Sequence, residues 1–149
     1  MMSDRVFVDT NVFLYARDDL FPEKQATAQI WLATLAARAA AVVSPQVLGE
    51  IHSVALRGRL PIAPDEARRT TRALEPWSAW ATDLELIASE WSLRGRTGFQ
   101  WWDCVILAAA IRAGCRFLLS DDYQHDREVE GLAIVNPFRA GPETLLSDH

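Results

Sequence analysis

Val6-Phe7-Val8-Asp9-Thr10-Asn11-Val12-Phe13-Leu14-Tyr15-Ala16 is the stretch on which the fold turns. The β-rich run Arg5-Val6-Phe7-Val8 stops at Asp9, after which Val12, Phe13 and Ala16 recur at helical spacing. A strand therefore ends in an acid and passes at once into a helix. In an open parallel sheet, ligands sit in the crevice beyond the carboxyl ends of the strands, which is where such an acid stands. Asp9 or Thr10 also suits the N-cap of the helix, and capping and chemistry are compatible. The question for the rest of the chain is whether other acids reach equivalent places.

Bulk properties set the frame. A chain of 149 residues fits one domain over 1–149 and buries roughly 70% of the surface its unfolded form would expose, so no disulfide or metal staple is needed. Half the residues are hydrophobic and no repeat or low-complexity tract interrupts them. A net charge of −5 argues against binding nucleic acid by bulk attraction. The basic side chains are nearly all arginine, Lys24 being the sole lysine, and arginine's planar fork suits phosphate and carboxylate. Cys104 and Cys115 match no metal-ligand spacing and are expected in a core. The start, Met-Met-Ser-Asp-Arg, has no apolar signal core, and no apolar run is long enough for a membrane span. A cytoplasmic protein with no membrane partner is expected.

Further along, Phe21-Pro22-Glu23 opens a second helix whose apolar stripe approximates Ala26, Ile30, Leu32, Leu35 and Ala36. Ala40 to Ser44 reads as a second strand, and Pro45 starts a helix that ends at Gly58. Glu50 lies on that helix among Val47, Ile51, Val54 and Ala55, at the edge of a buried face or simply in solvent. Pro64-Asp65-Glu66 begins a helix through Leu74. Thr82-Asp83-Leu84-Glu85 caps another that reaches about Leu93 and stops at Gly95. The arginines from Arg57 to Arg96, interleaved with acids, read as solvated helix faces, and Trp77, Trp80 and Trp91 as packing or subunit-interface residues.

Asp103 opens the most apolar helix of the chain, Cys104 to Ile111, closed by Gly114. A helix apolar on nearly every side is buried, and its first turn favours a carboxylate. Arg116-Phe117-Leu118-Leu119-Ser120-Asp121-Asp122 then repeats the layout at Asp9: a strand running into acids. A last strand, Gly131 to Asn136, is stopped by Pro137, and His125 in the preceding loop reads as solvated. His52 and His149 offer no partner spacing.

Two acids at strand ends and two on helices converge if the sheet is parallel. Neighbouring carboxylates disfavour one another's ionisation, and a cation resolves that cost. With oxygen ligands and no His or Cys pair, the ion is hard, Mg²⁺ or Mn²⁺, and magnesium is commonly held by few carboxylates together with substrate phosphates. A phosphodiester is the natural substrate.

The segments Phe-Val-Asp-Thr-Asn-Val-Phe-Leu-Tyr-Ala, Val-Leu-Gly-Glu, Trp-Trp-Asp-Cys-Val-Ile-Leu-Ala-Ala-Ala, Leu-Leu-Ser-Asp-Asp-Tyr-Gln-His and Ile-Val-Asn-Pro-Phe together resemble the PIN domain. More narrowly, they resemble the VapC-type ribonuclease toxins of type II toxin-antitoxin pairs. The resemblance spans almost the whole chain and is specific in combination. It implies an α/β three-layer fold, a mostly parallel sheet flanked by helices, and a metal-dependent endoribonuclease. It places the acidic site on Asp9, Glu50, Asp103 and an acid of the Ser120-Asp121-Asp122 segment. The fourth acid aligns with Asp122, with Asp121 its rival; many relatives have glutamate at the latter place. Asp9 and Asp103 would be the main ligands, with Glu50 and Asp122 binding a second ion or holding its water. Thr10, Asn11 and Ser120 match residues that orient the carboxylates by hydrogen bonds. Asp126 stands where glycine is frequent, a departure that bears on the loop near the site. The resemblance also implies an RNA substrate, a VapB-like antitoxin over the cleft, and a homodimer. A catalytically idle PIN-like module that binds RNA or protein, or a structure-specific DNA nuclease, remains an alternative. An aspartyl phosphatase fits less well, because Asp9 lacks a second acid two positions on.

Overall fold

The computed structural model describes residues 4–58, 62–79 and 81–146; Arg59, Trp80, His149 and the first three residues, which entered the sequence reading, lie outside them. The strands are β1 (Val6–Val8), β2 (Ala41–Val42), β3 (Phe117–Leu119), β4 (Glu128–Val129) and β5 (Leu132–Val135). The helices are α1 (Thr10–Tyr15), α2 (Pro22–Ala37), α3 (Pro45–Arg57), α4 (Pro64–Leu74), α5 (Leu84–Thr97) and α6 (Trp101–Arg112). The strands form one sheet in the order β2-β1-β3-β5-β4. The pairs β1/β2, β1/β3 and β3/β5 are parallel, and β4 returns antiparallel to β5.

Every residue of β1 and β3 is buried, so helices cover both faces of the sheet, as a parallel sheet requires. The result is the mostly parallel, three-layer α/β fold expected. From β1 the chain places β2 on one side and β3 on the other, which makes the gap between β1 and β3 a topological switch point. Ligand crevices form at such points, at the carboxyl ends of the strands. Asp9 follows β1 and Ser120 follows β3 at that edge, with Val8 paired to Leu119 just before them. The start of α3, after β2, lies at the same edge.

Local chemistry explains the boundaries. Ser44 caps α3, its hydroxyl accepting the Val47 N–H at 3.4 Å, Pro45 occupies the first turn, and Gly58 ends the helix in the left-handed region at φ 69°. The expected end of α5 at Gly95 is corrected: the helix continues to Thr97 and stops at Gly98, φ 73°. A helical glycine costs only about 1 kcal/mol, whereas the left-handed turn at Gly98 is a true terminator. In α2 the buried face is Ala28, Trp31 and Leu35, not the stripe through Ala26, Ile30 and Ala36, which are exposed. Trp31 sets the face: it is wholly buried and its indole N–H donates to the Pro137 carbonyl at 3.0 Å.

The strand β4 was not expected. Its turn into β5 runs through Glu130 at φ 51° and Gly131 at φ 83°, a pair of left-handed residues suited to a tight hairpin. His125 is also corrected. Its ring is mostly buried, and Nδ1 accepts the Asn136 N–H at 3.0 Å, pinning the loop before β4 to the end of β5. Asp126 stands at φ 65°, where glycine would be unstrained, and aspartate is among the few residues that tolerate the left-handed region.

Cys104 and Cys115 are buried, as expected. Trp77 packs on the core beside Phe13, while Trp91 is 61% exposed on α5. Arginines pair with acids at the surface, Arg17 with Glu66, Arg68 with Asp65, Arg96 with Glu130 and Arg112 with Asp83. No helix among the described residues is long and apolar enough to cross a membrane.

The helix α6 carries Asp103 in its first turn and is anchored by a nearly continuous buried run, Cys104 to Ala108. Leu107 is completely buried. Truncating it to alanine removes that packing and leaves a cavity, so Leu107→Ala is expected to lower stability by about 2–5 kcal/mol, read as a lower urea midpoint with an unchanged m-value.

Candidate active site

The site is built on a single hydroxyl at the end of β3. Ser120 is wholly buried, and its Oγ donates to Asp9 Oδ2 at 2.8 Å while accepting from the Asn11 side-chain amide at 3.0 Å and from the Asp122 backbone N–H at 3.1 Å. One donated and two accepted bonds fill the capacity of a serine hydroxyl. Asp9 caps α1, its Oδ1 taking the Thr10 N–H at 2.8 Å. The Asn11 amide nitrogen also reaches Asp122 Oδ2 at 3.1 Å and Asp9 Oδ2 at 3.4 Å, and its carbonyl accepts the Asp121 N–H at 3.4 Å. Asn11 thus ties the end of β1 to both residues after Ser120.

Glu50 enters from α3. The Thr10 hydroxyl donates to its Oε2 at 3.0 Å and the Gln46 amide to its Oε1 at 3.2 Å, so the carboxylate faces the site instead of solvent. Asp103 enters from α6, whose first turn is tied to the loop after β3 by the Tyr123 hydroxyl, donating to the Asp103 carbonyl at 2.9 Å. Gln46 and Tyr123 are the positioning residues that sequence reading missed. Gln46 is legible as the i, i+4 partner of Glu50 on α3; Tyr123 has no local signal, because its partner lies 20 positions away.

The structure therefore brings Asp9, Thr10, Asn11, Glu50, Ser120 and Asp122 into one hydrogen-bonded group, with Asp103 beside it. Asp121, adjacent in sequence, lines a neighbouring cavity with Tyr15 and Phe21, which Asn11 and Asp122 of the acid group also line, and its carboxyl is hydrogen-bonded to the Tyr15 hydroxyl and to the Asp122 carboxyl.

Electrostatics bear out the proximity. Burial pushes Asp9 from the ordinary 3.8 up to about 6; the bonds from Ser120 and Thr10 oppose that, and the charges of Asp122 and Glu50 add to it. Burial, then the Asp122 charge, also raises Asp103. Asp121 is raised by burial, then by the charge of Asp122, which also hydrogen-bonds it, while Lys24 and the Tyr15 hydroxyl oppose the shift. The Tyr123 hydroxyl is held protonated mainly by burial, then by Asp9, Asp103 and Asp122. Among the described residues no arginine or lysine pairs with Asp9, Glu50, Asp103 or Asp122.

Such uncompensated, oxygen-only charge is the donor chemistry of a hard divalent cation. Among the described residues no three His, Cys, Asp or Glu side chains stand close enough to enclose an ion by themselves. The fit is instead to an ion held by one or two carboxylates, with water and substrate oxygens completing its shell, as magnesium prefers.

The family model for the PIN domain matches residues 6–129, which include every acid of the site. The chain belongs to the PIN-domain family. No curated protein matches this PIN domain in sequence. Among solved structures it is similar to a toxin-antitoxin complex from Klebsiella pneumoniae, with a TM-score of 0.61 and 20% identity over 89% of this chain and 97% of the other. VapBC2 from Rickettsia felis, bound to a DNA fragment from its promoter, has a TM-score of 0.61 and 14% identity over 87% and 96%. FitAcB from Neisseria gonorrhoeae has a TM-score of 0.61 and 18% identity over 91% and 99%. At these identities the likeness establishes the fold.

The raised Asp9 value has a thermodynamic consequence. The native state binds more protons than the unfolded chain between about pH 4 and 6, so stability falls as pH rises through that window. In chelator at pH 7, Asp9→Asn is expected to be more stable than the parent by up to about 3 kcal/mol, the gap narrowing at pH 5. Urea midpoints at the two pH values measure it; coincident midpoints at pH 7 would mean that the carboxylate is not under strain.

Proposed function

We propose that this PIN domain is a single-domain, metal-dependent endoribonuclease, the toxin of a VapBC-type toxin-antitoxin pair, working in the cytoplasm. The observation that carries the reading is the group of carboxylates at the switch point of the sheet, hydrogen-bonded into position by neutral residues and left without a cationic side chain. The likeness of the fold to a toxin-antitoxin complex supports the toxin assignment.

In this reading Asp9 and Asp103 would hold Mg²⁺ or Mn²⁺, and Glu50 and Asp122 would hold a second ion or its water. A bound divalent ion lowers the pKa of the attacking water and stabilises charge on the phosphoryl oxygens during in-line displacement. The protein's part is preorganisation. Ser120 and the Thr10 N–H fix the rotamer of Asp9, Thr10 and Gln46 fix Glu50, and Asn11 holds Asp122 against the Asp9 side. Asp103 has no side-chain hydrogen bond among the described residues, which leaves it the acid free to adjust on loading. Partners follow from the same reading. An antitoxin would cover the acids with a basic side chain, and the exposed apolar side chains Leu84, Trp91 and Trp102 of α5 and α6 would be covered in a homodimer.

Partner-free parent and Asp103→Ala, compared on total cellular RNA with Mn²⁺, Mg²⁺ or chelator, test the proposal. Discrete fragments are expected only from the parent with metal. The variant should be slower by at least about a hundredfold with the same circular dichroism and Tm. A folded parent that binds Mn²⁺ and retains RNA uncut would overturn the enzyme in favour of a binding module. Cleavage of DNA but not RNA would transfer the site to a DNA nuclease.

A further inference from the structure

Asp121 is the residue the four-acid site leaves over. Its neighbour Asp122 takes the Asn11 amide and joins the hydrogen-bonded group, while Asp121, held by its N–H to Asn11 Oδ1, lines a cavity of about 280 Å³ next door. Asn11 and Asp122 form the wall that this cavity shares with the acid site. Leu14, Tyr15, Asp18 and Phe21 complete its lining.

The aromatic wall is both braced and open. Tyr15 packs edge-on against Phe138 at 5.1 Å and against Phe21 at 6.1 Å, and the ammonium of Lys24, the only lysine, lies 4.8 Å from the Tyr15 ring and 5.0 Å from that of Phe138. Phe21 is nevertheless 49% exposed at the rim. A half-exposed ring beside a cavity that opens onto candidate catalytic acids is the arrangement by which proteins stack an unpaired base of single-stranded RNA. The cavity has room for one base and not for a length of chain.

The polar groups decide which base. Asp18 and Asp121 contribute carboxylates; Asp18 already accepts the Leu20 N–H at 3.0 Å, and Asp121 is hydrogen-bonded to the Tyr15 hydroxyl and the Asp122 carboxyl and feels the charge of Lys24, which leaves some of a carboxylate's roughly four lone-pair sites for a ligand. An ionised carboxylate only accepts hydrogen bonds. Guanine alone among the four bases presents two adjacent donors, N1–H and the N2 amino group, which match the two oxygens of one carboxylate. Adenine and cytosine set a ring-nitrogen acceptor beside their amino group, and uracil flanks its one N–H with carbonyls; each would turn a lone pair on Asp121.

We propose that this cavity is a guanine-selective subsite for the nucleotide flanking the scissile phosphate, with Phe21 as the stacking ring and Asp121 as the carboxylate that reads the base. The proposal rests on the ribonuclease reading, since the site next door gives the flanking nucleotide its meaning. Asp121 then selects substrate and leaves the ion to its neighbours.

Binding and cleavage separate the two readings. Guanosine and adenosine 5′-monophosphates are titrated into the full chain and followed by the aromatic NMR signals of Tyr15 and Phe21. Guanosine monophosphate is expected to bind about tenfold more tightly, and Asp121→Asn to abolish the preference by replacing one acceptor with a donor. Phe21→Ala, checked by circular dichroism to be folded, should weaken guanosine monophosphate about tenfold. In parallel, oligoribonucleotides carrying one guanosine, inosine or adenosine are cut by the parent with Mn²⁺, with kcat/KM expected to fall in that order. Equal binding of the two nucleotides, or a preference that survives Asp121→Asn, would overturn the subsite even if RNA is cleaved. Guanine-selective binding without cleavage of any RNA would keep the subsite and overturn the nuclease.

Discussion

The structure depends on keeping a carboxylate largely out of water. Asp9 is only 6% exposed at the end of a fully buried strand, and burying an unpaired charge is among the costliest acts in folding. Three neutral donors, the Ser120 hydroxyl, the Thr10 N–H and the Asn11 amide, meet its two oxygens, yet its affinity for protons still rises. Hydrogen bonds therefore offset the desolvation only in part. A core optimised for stability would place an apolar residue here, or an arginine opposite; that neither occurs makes the energetic deficit a mark of function.

The surrounding fold reads as the support for that deficit. Parallel pairing of β1 with β3 sets Asp9 and Ser120 side by side, and the register Val8 to Leu119 leaves them as the first residues past the last pair. A slip of one residue would turn each side chain to the other face and dissolve the contact. The helices contribute their first turns: α1 through the cap at Asp9, α6 through Asp103. Only Glu50 comes from the middle of a helix, and its two donors, Thr10 and Gln46, are both side chains, where Asp9 also draws on the backbone N–H of Thr10.

Sequence reading succeeds where the physics is local. The fully buried strands β1 and β3 appear as continuous apolar runs, and α3 and α4 begin at prolines; Gly58 then closes α3 with a left-handed turn. It fails where a distant partner decides. The alanine-rich α2 offers several nearly equivalent stripes, and the choice falls to Trp31, whose indole finds the Pro137 carbonyl more than a hundred positions away. The turn at Glu130-Gly131 lacks the usual asparagine or aspartate before its glycine, so β4 is invisible until it pairs. His125 has no sequence neighbour that announces its bond to Asn136. All four acids aligned by the resemblance lie together; the fourth aligns with Asp122, and Asp121 stays its rival because Asp122 and Asp121 follow the same strand by three and two residues.

What separates those two aspartates is a single peptide. The N–H of Asp122 turns inward to Ser120 Oγ, and the N–H of Asp121 goes to Asn11 Oδ1. Both bonds hold the backbone, but Asn11 uses opposite ends of its amide for the two residues: its nitrogen for the side chain of Asp122, its carbonyl for the backbone of Asp121. A symmetric carboxylate at position 11 could not do this, because it would have no donor for Asp122 and would add a fifth negative charge beside Asp9. An apolar residue would remove the bond to the Asp122 side chain and the bond to the Asp121 backbone together. The polarity of one amide thus sorts adjacent, chemically identical side chains into different places: one into the acid group, the other into the aromatic cavity beside it.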